Sequence, residues 1–122
     1  TQVIACSPEN SCVMHQSLEA GELLDAPSLP TLSDSTAGGV EAGSITFDLC
    51  NSYVSRSITV SEDAIKAATL KIITEQHILI EGAAGAAVAG YLQTETEWTD
   101  KRVAIILCGA NIPAKTILEI LN

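Results

Sequence analysis

Three glycine turns in this chain each contain a group that could contact a small ligand. They are the Gly38-Gly39 pair, Glu81 with the glycine that follows it, and the Cys108-Gly109 turn. Glycine allows a backbone to approach a ligand where a Cβ would not fit, and a carboxylate or a thiol can form an orienting hydrogen bond. If the strands before these turns are parallel, their carboxyl ends share one edge of the sheet, where the three turns could converge.

Cys108 also has an alternative interpretation as a nucleophile. A reactive cysteine needs a base close to it in space, and His77 or His15 could supply one. Either histidine could equally be a surface residue at a helix end. The sequence contains no P-loop, G-x-G-x-x-G, H-E-x-x-H or G-x-S-x-G pattern, so these residues alone indicate only a domain with a candidate small-molecule site.

The cysteines are irregularly spaced, which favours free thiols in a reducing compartment over a disulfide framework. Cys6, Cys12 and His15 give the spacing C-x5-C-x2-H, which lacks the C-x2-C knuckle of structural zinc sites. We therefore interpret these residues as buried or incidental thiols and a histidine, and we predict no metal site.

Composition narrows the class of protein. The 122 residues are 47% hydrophobic but only 3% aromatic, so a core of Ala, Val, Ile and Leu is expected, as in helices packed on a sheet. A net charge of −9 with only six Lys and Arg argues against nucleic-acid binding. No apolar run reaches about 18 residues and no signal pattern is present, which favours a cytoplasmic protein without a membrane segment.

Apolar runs of strand length alternate with segments of helical spacing. Strands are predicted at Gln2–Cys6, Ser57–Val60 and Val103–Leu107, and His77–Glu81 is a further short apolar run. Helices are predicted from about residue 11 to Gly21, over 44–54, from Ser61, over the glycine- and alanine-rich 82–90, and after Pro113. Residues 22–44 are a predicted long loop. The alternation predicts an α/β fold, with a mostly parallel sheet flanked by helices and joined by right-handed crossovers.

Five segments, taken in order, resemble motifs of one enzyme family. They are Val3–Ser11 (VIACSPENS), Ser35–Val40 (STAGGV), Val60–Ile65 (VSEDAI), Ile80–Gly85 (IEGAAG) and Leu107–Asn111 (LCGAN). Each motif alone is weakly specific, but their order and spacing together resemble the C-terminal part of the threonine/serine dehydratases and serine racemases. These are pyridoxal-phosphate enzymes of the tryptophan-synthase-β-like fold, fold type II. The resemblance covers nearly the whole chain.

The resemblance implies a cofactor, pyridoxal 5′-phosphate, and a role for each of the three turns. Cys108, followed by Gly109, would face the pyridine nitrogen, Glu81 would lie near the ring, and the Gly38-Gly39 backbone would lie along it. A neutral thiol does not hold the ring nitrogen protonated as a carboxylate would, which favours β-elimination of a hydroxyl group.

This sequence departs from the family pattern in two places. Members with a divalent-cation site have Glu and Asp where this chain has Ser7 and Val13, neither of which replaces a hard oxygen ligand. We expect that cation site to be absent. The aspartate of the T-x-A-D-G loop is Gly38 here, which leaves the loop less charged.

The resemblance also implies what the chain lacks. The family's Schiff-base lysine, its substrate-carboxylate loop and its phosphate loop all precede the matching region, and Lys66, Lys71, Lys101 and Lys115 match none of them. Residues 1–122 are therefore interpreted as a single segment, the C-terminal part of the large cofactor-binding domain, containing no catalytic residue and inactive alone.

The expected activity of the intact protein is conversion of L-threonine or L-serine to a 2-oxo acid and ammonia. Two alternatives within the enzyme class are serine racemase and 3-hydroxyaspartate ammonia-lyase. A third is a non-catalytic truncated homologue that binds a partner or dimerises through an open sheet edge. The resemblance suggests a homodimer or a higher oligomer with a small hydroxy-amino-acid substrate.

Overall fold

Two short parallel strands form the sheet of this protein. β1 (Ile4–Pro8) pairs with β2 (Arg56–Val60), placing Ile4 opposite Arg56 and Pro8 opposite Val60. The structure is a computed structural model that describes residues 1–122. Because parallel strands need a crossover connection, the 47 residues of chain between them hold two helices and the long loop.

Five α-helices surround this pair of strands. They are α1 (Val13–Ala20), α2 (Ile45–Tyr53), α3 (Glu62–Lys71), α4 (Gly82–Thr94) and α5 (Ala114–Leu121). Short 3-10 turns lie at Glu9–Ser11, Asp34–Thr36 and Glu95–Trp98, and one π-helical turn at Ile72–Gln76 extends α3. The predicted helices and the predicted long loop are confirmed.

The helix ends follow the chemistry of their sequence. Ser61 caps α3 by accepting a hydrogen bond from the Ala64 amide at 3.2 Å, and Glu62 and Asp63 in the first turn favour the positive end of the helix dipole. After α1, Gly21 adopts the left-handed conformation at φ 75°, which glycine tolerates without strain. Both helix boundaries were predictable from these residue types.

The core lies where α4 packs against α3 and the sheet. Its fully buried side chains are Val60, Ile65, Ala68, Ala86, Val88 and Ala89. Small residues let these elements approach closely. A methyl group at Gly85 would overlap the Thr69 hydroxyl of α3, and one at Gly90 would overlap the Cys6 thiol of β1. The glycines of this helix therefore allow it to pack closely on α3 and β1.

The prediction of a buried strand at Val103–Leu107 is wrong. The segment has no strand neighbour, and Ile106 is 72% exposed while Val103 is 45% exposed. His77–Glu81 also forms no strand, and His77 itself takes a left-handed conformation. An apolar extended segment becomes a strand only when another strand accepts its backbone hydrogen bonds. These 122 residues provide such a partner only for β1 and β2.

Two further predictions concern the cysteines and the membrane. Cys6, Cys12, Cys50 and Cys108 are all free thiols, as expected. Every helix in the structure is too short or too polar to cross a lipid bilayer.

Candidate functional site

Glu81 connects two loops that are distant in sequence. It lies directly before α4, and its carboxylate accepts a hydrogen bond from the Ser35 hydroxyl on Oε1 at 2.9 Å and from the Asn111 amide on Oε2 at 3.2 Å. The Glu81 amide donates to the Gly109 carbonyl at 3.3 Å. One half-buried side chain therefore joins the loop before Gly38 to the turn after Cys108.

Gly109 is required at this point for two reasons. Its φ is +77°, in the left-handed region that side chains disfavour. A methyl group on its α-carbon would also overlap the Glu81 carboxyl group. The preceding residue, Cys108, is an exposed free thiol in the same turn.

The Gly38-Gly39 segment presents open backbone. No atom lies within 4 Å of the position that a Cβ would occupy at either glycine, and Gly38 has a φ of +116°. The Gly38 amide donates to the Ser11 hydroxyl at 2.9 Å. The segment is thus anchored by its backbone while its outer surface remains free to lie against a flat group.

The loop that leads to Gly38 is held against α3 and α4. The Leu32 amide donates to Oε2 of Glu62 at 2.7 Å, and the completely buried Ser33 shares a 2.6 Å hydrogen bond with the Thr36 hydroxyl. A methyl group at Gly82 would overlap the Leu32 carbonyl. The glycine that starts α4 therefore allows this loop to pack directly on the helix end.

The structure thus places Glu81 in contact with Gly109. Ser35, three residues before Gly38, bonds to the same carboxylate and so connects the Gly38 loop to it. It also adds positions that sequence reasoning did not place at the candidate site, namely Ser11, Ser35, Asn111 and Glu62. All four belong to motifs quoted above. What could not be read from the sequence was their pairing, because the hydrogen bonds join residues 27 to 46 positions apart.

Other polar groups have partners of their own. The ring of His15 is hydrogen-bonded to the Ser57 hydroxyl at 2.9 Å. Lys71 pairs with Glu75 at 2.7 Å, and Lys115 lies 3.8 Å from Glu119. Both lysines are exposed, so each belongs to an ion pair at the solvated surface.

A cavity of about 640 Å³ is lined by residues of β1, α4 and the Val103–Ile106 segment, and Glu81 is not among its lining residues. Ile4, Cys6 and Trp98 are among the residues that line it. Burial raises the pKa of the Cys6 thiol above its usual value of 9.0, because the apolar surroundings disfavour the thiolate. This thiol is accordingly a weak nucleophile at neutral pH.

Comparisons with known proteins identify the family. The model of the pyridoxal-phosphate dependent enzymes matches residues 1–109, so the chain belongs to that family. It is 33% identical to an L-threonine ammonia-lyase of Thermotoga maritima over 99% of the chain, which corresponds to 30% of that relative. It is 31% identical to a phenylserine dehydratase of Ralstonia pickettii over 94% of the chain and 35% of the relative.

A solved structure supports the same assignment. The serine racemase of Dictyostelium discoideum matches 92% of this chain with a TM-score of 0.81 and 30% identity, and the match covers 36% of that protein. The α/β fold class, the family resemblance and pyridoxal phosphate as the family's cofactor are therefore confirmed. The chain spans about a third of the length of these relatives.

The residues present suit part of such a cofactor. The open backbone of Gly38 and Gly39 can lie against a flat ring, and the exposed Cys108 thiol can form one hydrogen bond at the ring edge. A glycine-rich loop with which to bind a phosphate group is not found in these residues. The donor set of this chain fits the ring and does not fit the phosphate.

Proposed function

We propose that this chain is part of the cofactor-binding domain of an ammonia-lyase that converts L-threonine or L-serine to a 2-oxo acid and ammonia. The structural observation that carries the proposal is the Glu81 carboxylate, which joins Ser35 of one loop to Asn111 in the turn that also contains the exposed Cys108. The names of the two curated relatives describe the loss of ammonia or of water, and their similarity extends along almost the whole chain.

Pyridoxal phosphate, when bound, supplies an electron sink for negative charge that develops at the substrate α-carbon. Cys108 would be a neutral hydrogen-bond partner for the ring nitrogen, and the Gly38-Gly39 backbone would orient the ring from one side. Glu81 would keep both contacting segments in place. The lysine and phosphate-binding groups would come from the rest of the polypeptide, so we expect residues 1–122 alone to be inactive.

Residues 1–122 would then be one segment of a larger domain, located in the cytoplasm and assembled as a homodimer or a higher oligomer. β1 has β2 as its only strand neighbour, so its other edge has no strand partner. Ile4 and Cys6 of β1 line the 640 Å³ cavity together with the Val103–Ile106 segment. A strand from the rest of the same polypeptide could pair with this edge. Open edges of this kind are prone to association when they are left uncovered.

The direct test uses the full-length polypeptide and two assays. We expect a visible cofactor absorbance that borohydride abolishes, and equal amounts of ammonia and 2-oxo acid formed from L-threonine or L-serine. The Cys108→Ser variant should retain most of this activity, since a hydroxyl can also bond the ring nitrogen. Absence of both the absorbance and the products would refute the proposal. Complete inactivity of Cys108→Ser with cofactor still bound would favour the nucleophile interpretation instead.

Two alternatives are tested in the same experiment. The Dictyostelium discoideum structure is a serine racemase, so D-serine formed from L-serine would indicate racemisation, and preference for 3-hydroxyaspartate would indicate the third activity. A non-catalytic module that binds through its open sheet edge would show none of these products. It would instead form a stable complex through β1.

A further inference from the structure

Ser11 is a buried serine that connects three parts of the chain. It ends the 3-10 turn before α1 and is 4% exposed. Its hydroxyl accepts a hydrogen bond from the Gly38 amide at 2.9 Å and shares another, at 2.7 Å, with the hydroxyl of Ser28. The Ser11 hydroxyl is therefore hydrogen-bonded to two separate positions in the long loop.

The neighbouring residue strengthens the same connection. Asn10 accepts the Leu29 amide on its backbone carbonyl at 2.7 Å, and its side-chain amide donates to the Pro30 carbonyl at 2.8 Å. Residues 10 and 11 thus fasten the loop near residues 28–30, and Ser11 alone extends the attachment to Gly38. We call these four hydrogen bonds the serine clip.

The contact with Gly38 is specific because that residue has little else to fix it. Its φ of +116° is accessible mainly to glycine, its neighbourhood is open, and it is exposed. Without a restraint, two consecutive glycines would sample many backbone conformations. The amide bond to Ser11 selects one of them, while the Ser35–Glu81 bond fixes the other side of the same loop.

We infer that Ser11 is a positioning residue, which preorganises the Gly38-Gly39 backbone for contact with the cofactor ring. The inference rests on the proposed function for the identity of the ligand, but the clip itself does not. Ser7 bears a hydroxyl and Val13 a fully buried apolar side chain, so neither of these two positions provides a carboxylate. In this chain a side-chain hydroxyl fixes the loop.

The experiment measures the loop and the cofactor separately in the full-length polypeptide. For Ser11→Ala we expect the Gly38 amide to exchange with deuterium about 5- to 10-fold faster, because one hydrogen bond that protects it is lost. Affinity for pyridoxal phosphate, followed by its absorbance at equilibrium, should fall by a similar factor. Ser52→Ala is the matched control, since the exposed Ser52 hydroxyl bonds only the Asp48 carbonyl of its own helix. It should change neither quantity.

Ser28→Ala provides a second variant that does not disturb the core, because Ser28 is exposed. It removes the partner of Ser11 but leaves the Gly38 bond, so exchange at Gly38 should rise only about 2-fold. Unchanged exchange at Gly38 in both variants would overturn the serine clip. Faster exchange with unaltered cofactor affinity would overturn the positioning role. If the unmodified protein binds no pyridoxal phosphate, the proposed function fails, while the exchange measurement still decides the clip.

Discussion

Two apolar segments of strand length, Arg56–Val60 and Val103–Leu107, adopt different structures in this molecule. Arg56–Val60 forms β2, in which Val60 is completely buried. Val103–Leu107 is the more apolar of the two, yet it forms no strand and leaves Ile106 72% exposed. The difference lies in the neighbours. β2 pairs with β1 and is covered by α4, whereas the second segment has no strand beside it. Hydrophobicity indicates that a segment can be buried, but a backbone partner decides whether it becomes a strand.

Gly82→Ala is expected to be the most destabilising substitution in the region where α4 packs against α3 and the sheet, which we call the well-packed region. In Gly82→Ala the added methyl would overlap the Leu32 carbonyl, a backbone atom held in place by the neighbouring bond from Leu32 to Glu62. We expect the free energy of unfolding to fall by about 2 to 3 kcal/mol, the usual cost of overpacking. Chemical denaturation measures this loss.

Gly39→Ala is the matched control for that substitution. No atom surrounds its Cβ position, so its free energy of unfolding should change by less than about 0.5 kcal/mol. Equal losses for the two variants would show that α4 does not depend on close approach of the loop.

Shortening one apolar side chain in each segment compares the two regions directly. Val60→Ala removes buried methyl groups from the core and should cost about 2 kcal/mol in stability. Ile106→Ala alters a side chain that is mostly exposed and should cost less than about 0.5 kcal/mol in the 122-residue chain. Thermal or urea unfolding of both variants gives the difference.

The same two variants, introduced into the full-length polypeptide, test whether a further strand buries Ile106 there. If another strand covers this edge there, Ile106→Ala should become about as costly as Val60→Ala, because its side chain would then be buried. A cost that remains small in the longer protein would contradict the proposal that a strand of the same polypeptide covers this edge of the sheet.

These two regions also show how far the sequence could predict the structure. Local signals were sufficient where local chemistry decides the outcome, as with the Ser61 cap, the Gly21 helix end and the close packing of Gly85 and Gly90. The number of strands could not be predicted, because the hydrogen-bond partner of Val103–Leu107 is not specified by that segment.

The candidate site likewise has some features that the sequence predicts and others that it does not. Glycine turns identified Gly38, Gly39 and Gly109 as positions of special backbone geometry, and a positive φ is found at Gly38 and Gly109. The role of Glu81 as the link between Ser35 and Asn111 required the tertiary structure. Contacts over 30 to 46 residues depend on how the helices pack, which no local pattern records.

Neutralising Glu81 tests whether the Leu107–Asn111 turn is held in place by its hydrogen bond to this residue at the start of α4. Glu81→Gln keeps the shape of the side chain but replaces charged acceptors by one neutral acceptor and one donor. The remaining oxygen can still accept from the Asn111 amide, and the Ser35 hydroxyl can accept from the new amide group, but both bonds then lack a charged partner and are weaker, at a cost of about 1 kcal/mol. Amide exchange at Asn111 should increase, while exchange in α3 should not change.

Ser35→Ala is the control that separates the two bonds of that carboxylate. It removes only the contact to Oε1, so the Asn111 amide should keep its protection. Loss of protection at Asn111 in this variant would mean that the loop and the turn behave as a single unit, and the contrast between the two regions would be weaker than the structure indicates.

The smallest expected effect concerns Cys6, on the strand that faces the cavity. Burial raises the pKa of this thiol in the folded protein, so the unfolded chain loses its thiol proton first as the pH rises. The stabilisation is complete below the unfolded pKa, near 9.0, and it is lost as the pH rises towards the higher folded pKa. The free energy of unfolding should therefore fall more steeply above pH 9 in the unmodified chain than in Cys6→Ala.

Cys108→Ala, which removes an exposed thiol, controls for the loss of a cysteine as such. Identical pH profiles for Cys6→Ala and the unmodified chain would show that the cavity beside β1 is open enough to solvate the thiolate. That result would remove the distinction between the covered and the uncovered edge of the sheet.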